Sequence, residues 1–144
     1  MPFPAINYCL VCEGIRQEMA GKLSVLGFFG VTPNVDIWVG RLDLPAPIVL
    51  VMGFGPVTDN QAYSHTVSVT NPDGSILLQS PEARINTVPN RAGLIVSGAA
   101  VVPRIAGVRT VRVTVNGQLH FQAQFNLRQA TPQEIAGLPG APLQ

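Results

Sequence analysis

From Gln118 to Arg128 the apolar residues Leu119, Phe121, Ala123, Phe125 and Leu127 alternate with Gln118, His120, Gln122, Gln124, Asn126 and Arg128. A period of two marks a strand with one buried and one solvated face, and a slip of one residue would exchange the faces. Upstream, Val111 and Val113 alternate with Thr110, Arg112 and Thr114, and Asn116-Gly117 is a turn signal between the two runs. A two-residue loop would set Val115 opposite Gln118 and Val113 opposite His120, mixing the faces. A three-residue loop, Val115–Gly117, sets Val113 opposite Leu119 and Val111 opposite Phe121. The expectation is therefore a type I turn with Gly117 left-handed in a bulge, and His120 opposite Arg112.

The 13 prolines and 14 glycines punctuate apolar segments along the rest of the chain, as in many short strands joined by turns. Strands are expected near Asn7–Arg16, Lys22–Gly30, Ile37–Val39, Ile48–Phe54, Ala62–Thr70, Ser75–Gln79, Gly93–Val102, Val108–Thr114 and Gln118–Arg128. Asn71-Pro72-Asp73-Gly74 has the turn chemistry to join the fifth and sixth. Ile48–Met52 and Leu94–Val102 do not alternate, so each is either covered on both faces or turned toward a partner. The fold class expected is all-β, an antiparallel β-sandwich of about eight or nine strands over residues 1–129. In residues 130–144, Thr131-Pro132-Gln133-Glu134 reads as a capping box opening a short helical turn to about Gly137, followed by the Pro-rich Leu138–Gln144.

Composition bounds the function classes. A chain of 144 residues and 15.3 kDa suits one domain with its own core. Hydrophobic residues are 47 % and charged residues only 12 %, against about 25 % in average soluble domains. So little charge makes association a live expectation, either with another protein or with a second copy. The net charge of +1 is spread without a basic cluster, which argues against nucleic acid and anionic membranes as partners. No apolar run is long enough to span a bilayer, and Met1-Pro2-Phe3-Pro4 lacks the features of a secretory signal, so a cytoplasmic protein is expected. Cys9 and Cys12, three apart on one strand, point to opposite faces and cannot bridge; two free thiols fit a reducing compartment.

No motif carries chemistry by itself. Cys9-x-x-Cys12 is half of a zinc pattern with only His65 and His120 to complete it, so no metal and no cofactor is expected. His65, alternating with Tyr63, Val67 and Val69, belongs on an inward face near a strand end. No Gly-x-Ser-x-Gly elbow accompanies Ser64. Asp36, Asp43, Asp59 and Asp73 sit in expected turns, where loops converging at one sandwich end could assemble a weak calcium site. Gly53-Phe54-Gly55-Pro56 lacks the downstream glycine and helix of a phosphate cradle.

Cys12-Glu13-Gly14-Ile15-Arg16-Gln17-Glu18, then Gly21-Lys22-Leu23-Ser24-Val25-Leu26-Gly27-Phe28-Phe29, resembles the opening hairpin of an uncharacterised bacterial family of small β-sandwiches with a GKL-x-x-LG strand. Pro72-Asp73-Gly74 matches that family's later "PDG" hairpin. The resemblance implies a bacterial β-sandwich and no known activity, and it transfers no functional residue.

The function expected is a non-catalytic protein-interaction or assembly module. Its candidate contact residues are Arg112, His120, Gln122, Gln124 and Arg128 on the neutral polar face, with the non-alternating strands as the second candidate surface. The alternative is a small-ligand binder or enzyme whose site is assembled from loops at a sandwich end.

Overall fold

The structure is a computed structural model describing residues 3–59 and 61–136. Its strands are β1 (Ile6–Gln17), β2 (Leu23–Val31), β3 (Asp36–Val39), β4 (Ala46–Phe54), β5 (Ser64–Thr70), β6 (Ile76–Gln79), β7 (Ala83–Arg84), β8 (Gly93–Val101), β9 (Gly107–Val115) and β10 (Gln118–Gln129). A single α-helical turn, α1 (Pro132–Ala136), closes the described chain; Gly137 and the Pro-rich Leu138–Gln144 lie outside the described residues. Nine of these strands fall where the alternation and turn signals put them. β7, two exposed residues pairing with the start of β5, is too short to leave a period.

The strands form two packed sheets, ordered β2-β1-β4-β8 and β3-β10-β9-β5-β6. The all-β sandwich with a short C-terminal helical turn is the architecture the alternation implied. One pairing departs from the antiparallel expectation: β3 runs parallel to β10, Ile37 beside Leu127. The chain reaches β3 from β2 in the other sheet, and such a crossover is free to enter in either direction.

Inward side chains of both sheets make one core. Cys9 and Val11 of β1, Ile48, Leu50, Met52 and Phe54 of β4, Val67 and Val69 of β5, Val111 and Val113 of β9, and Phe125 and Leu127 of β10 are all nearly inaccessible. At one end Phe3 stacks at 4.8 Å on Phe54 and 5.0 Å on Tyr63, anchoring the N-terminal segment. His65 takes the inward position expected, its Nδ1 2.9 Å from the Ala83 carbonyl.

The β9–β10 hairpin corrects the expected turn. Gln118 pairs with Val115 across a two-residue Asn116-Gly117 loop, with φ 49° and 80°, a type I′ turn that glycine and asparagine tolerate. Leu119 then pairs with Thr114 on the outer face, and the register shifts so that Phe121 meets Val113 and Ala123 meets Val111. A bulge at His120 therefore restores the face bookkeeping two residues beyond the turn, rather than inside it. Gln122, not His120, lies opposite Arg112.

The Asn71–Gly74 turn forms as expected: Gly74 N–H donates to the Asn71 carbonyl at 2.9 Å, and Gly74 has φ 87°. The capping box closes both ways, Glu134 N–H to Thr131 Oγ1 at 3.3 Å and Thr131 N–H to Glu134 Oε1 at 2.9 Å.

Candidate interaction surfaces

The two outer faces differ in chemistry. That of the sheet containing β9 and β10 is mixed: Thr110, Arg112, Thr114, Gln122, Gln124 and Asn126 stand there, with the exposed apolar Leu119, Val108 and Ile76 among them. Three of the five expected contact residues stand there: Gln122 and Gln124 are exposed, and Arg112 is half-buried with Nη1 3.3 Å from Thr70 Oγ1.

The other two are committed internally. His120, in the bulge, places Nε2 2.7 Å from the Pro4 carbonyl and its ring edge-on 5.3 Å from Phe3, so it fastens the N-terminal segment. Arg128 donates to both carboxylate oxygens of Glu134 at 2.6 Å, and to Asp36 at 3.0 Å, tying α1 and β3 to β10. Its guanidinium is raised further above its ordinary range by those two carboxylates, Glu134 first. The Arg128 side chain and the Thr131 backbone N–H hold the Glu134 carboxyl down at about 2. Arg128 is thus a structural clamp, which sequence alternation alone could not distinguish from a free contact residue.

The outer face of the β2-β1-β4-β8 sheet is apolar. Opposed residues in antiparallel strands point to the same side, so the register reads directly as rows across the sheet. Successive rows are Tyr8-Gly53-Leu94; Val31-Leu10-Val51-Val96; Phe28-Cys12-Val49-Gly98; and Leu26-Gly14 with Pro47-Ala100. None of these side chains is charged. Phe28 is 58 % exposed, Leu26 47 %, Leu94 42 %, and Tyr8 and Val31 41 % each. The Tyr8 ring lies over Gly53, where any Cβ would collide with it. Charges begin only at the rim, where Arg16 and Glu18 pair at 2.6 Å.

The two non-alternating segments now separate. β4 is an inner strand flanked by β1 and β8, and its outward Val51 is only 3 % exposed between neighbouring side chains. β8 is an edge strand whose outward Leu94 and Val96 remain uncovered.

The thiols and the four aspartates are engaged or buried. Cys9, in the core, has its thiol pushed up to about 12 by burial, and burial also raises Cys12, whose Sγ–H points to the Gly14 carbonyl at 3.3 Å. Both remain protonated thiols near neutral pH, free and on opposite sides of β1. Asp36, Asp43, Asp59 and Asp73 stay apart, bonded to Arg128, Arg41, Tyr63 and Ser75 respectively. Among the described residues no group of three or more His, Cys, Asp or Glu side chains converges.

Two adjoining clefts of about 340 and 620 Å³ open where β2 faces β3, sharing Glu13, Phe29, Trp38 and Gly40. One residue that the sequence reading passed over is Arg109. It is fully buried, donating to the carbonyls of Pro103, Ile105 and Gly107 and to Asn71 Oδ1 at 2.5–3.1 Å, which secures the loop before β9. An arginine in an inward register position, opposite Phe125, was the available signal.

No family model matches the chain, and no curated protein matches it. Among solved structures it is similar to Pseudomonas fluorescens alkylpurine DNA glycosylase AlkC bound to DNA containing an abasic site analog, at 18 % identity and a TM-score of 0.44. The match covers 67 % of this chain and 28 % of that one, and a likeness of that size carries no argument about function. No helix among the described residues is long and apolar enough to cross a membrane.

Proposed function

We propose that the domain is a non-catalytic protein-interaction module, and that its contact surface is the outer face of the β2-β1-β4-β8 sheet, not the glutamine-bearing face. The observation that carries this reading is the set of charge-free rows running from Tyr8 to Gly14 on β1 and out to Phe28 and Val96. With strands about 4.8 Å apart and a rise of about 3.3 Å per residue, the face covers roughly 450 Å² in plane. That is the scale at which an apolar patch marks a contact site.

The partner this face fits is a protein presenting an equally uncharged apolar surface, since a charged one would be desolvated without a counter-charge. Nucleic acid fits this face poorly, because its rows hold no lysine or arginine to meet phosphates. Buried free thiols suit a cytoplasmic setting, and the opening-hairpin resemblance suits a bacterial one.

The test is charge insertion. The chain purified from its native cells should come with a protein partner; Leu26→Lys with Phe28→Lys should leave the thermal melt within a few degrees of the parent, because both side chains are already exposed, and should abolish that complex. Gln122→Lys with Gln124→Lys should preserve that complex. Loss of the complex only in the glutamine pair would reverse the assignment. The cleft at Glu13, Phe29 and Trp38 supports a second reading, a small-ligand site, because it joins a carboxylate to an aromatic wall at the open side of the sandwich.

A further inference from the structure

The sandwich has four sheet edges, and three are guarded. β3 and β6 are four residues each. β2 is broken by a register shift against β1, with Gly27 at φ 61° and Gly30 at φ 145°. Short or bulged edges cannot template a long ladder.

The fourth edge is different. β8 pairs with β4 through nine consecutive residues, Gly93 to Val101, without a shift, and it carries no charge and no proline. β8 itself carries none of the charges, prolines or bulges that usually blunt an edge. β6 of the facing sheet touches β8, but at four residues it spans less than half of the nine-residue strand.

We propose that β8 pairs antiparallel with β8 of a second copy about a two-fold axis at Ser97, joining two four-stranded sheets into one. A two-fold axis normal to the sheet keeps each side chain on its own face, so opposed positions must have the same parity, and centring on Ser97 overlaps all nine residues. In that register Val96 lies opposite Gly98 of the second copy, Ile95 opposite Ala99, and Leu94 opposite Ala100. Each branched side chain thus meets a glycine or alanine, and the strand is complementary to itself in size. With no charge on β8, two copies approach without like-charge repulsion, and the unpaired N–H and C=O groups of each edge find partners. The pairing would also make the apolar outer faces of the two copies continuous, although it does not depend on what docks there.

The register makes the test specific. The full chain should sediment as a dimer at micromolar concentration. Ser97→Cys should cross-link between copies under mild oxidation, because directly opposed Cα atoms lie about 4.5–5.5 Å apart, within disulfide reach. Leu94→Cys should not, since its copies would lie six residues out of register. Leu94→Glu or Ala100→Lys alone should raise the dimer dissociation constant by about tenfold, and the two combined in one chain should restore it, because each glutamate then faces a lysine of the other copy. Circular dichroism of each variant separates loss of dimer from loss of fold. A monomer at all concentrations, cross-linking of Leu94→Cys as readily as Ser97→Cys, or a double variant weaker than either single one would overturn the proposal. The Ser97→Cys cross-link and the rescue by the charge pair report the β8 edge, because Ser97 lies off the outer face and the rescue needs Leu94 of one copy opposite Ala100 of the other, whereas the single charge variants at Leu94 and Ala100 also touch that face.

Discussion

Phe125 and Arg109 face each other across β9 and β10 in the core, one making ordinary apolar contacts and the other satisfied by three backbone carbonyls and the Asn71 side-chain oxygen. Phe125→Ala should destabilise the domain by about 3–5 kcal/mol, since a buried phenyl ring leaves a cavity that the sheets cannot collapse. Urea denaturation reads this directly, and a change below about 1 kcal/mol would mean that the inward face of β10 is misassigned. Arg109→Met, similar in length, strips a donor from the buried Pro103 carbonyl and from the part-buried Ile105 and Gly107 carbonyls, and should cost about 1–3 kcal/mol in the same measurement. Periodicity gave the position of Phe125 without ambiguity. It could not assign Arg109, because a buried guanidinium breaks the polar-outside pattern and becomes legible only once the carbonyls of the preceding loop are located.

At the scale of elements, the β9–β10 hairpin shows both the reach and the failure of alternation. Val113 and Phe121 do end up on one face, as the pattern demanded, but the extra residue is His120 rather than part of the loop. Nothing in the alternation says where along a strand the bulge falls; that choice is made by the Pro4 carbonyl and the Phe3 ring, which hold the imidazole. Gly117→Val should lower the melting midpoint, because a β-branched residue at φ 80° costs about 1–2 kcal/mol. An unchanged midpoint would contradict the turn geometry.

The α1 clamp belongs to the same scale. Glu134 titrates at about 2 in the folded chain against an ordinary 4.5, so its contribution is present above pH 4.5 and is lost as pH falls through about 2. Protease susceptibility at the C-terminal end should therefore rise on acidification through that window, and Glu134→Gln should remove the pH dependence. A susceptibility flat in pH for the parent chain would show that the clamp carries no stability.

At the scale of the whole molecule, the low charge content pointed to association before any fold was known, and two sheets follow from the strand count and turn spacing. What the sequence left open was which face is bare. Alternation is a local signal: it marks Gln122 and Gln124 as exposed but cannot tell whether the non-alternating Ile48–Met52 and Leu94–Val102 are inner or edge strands. Sheet order decides that, and it leaves one outer face apolar across all four strands. The central claim is that this face meets the partner. Its most direct measurement is site-specific photo-cross-linking in native cells, with the probe at position 28 or position 122. A defined protein adduct from position 28 and none from position 122 is the predicted result; an adduct from position 122 alone would contradict it.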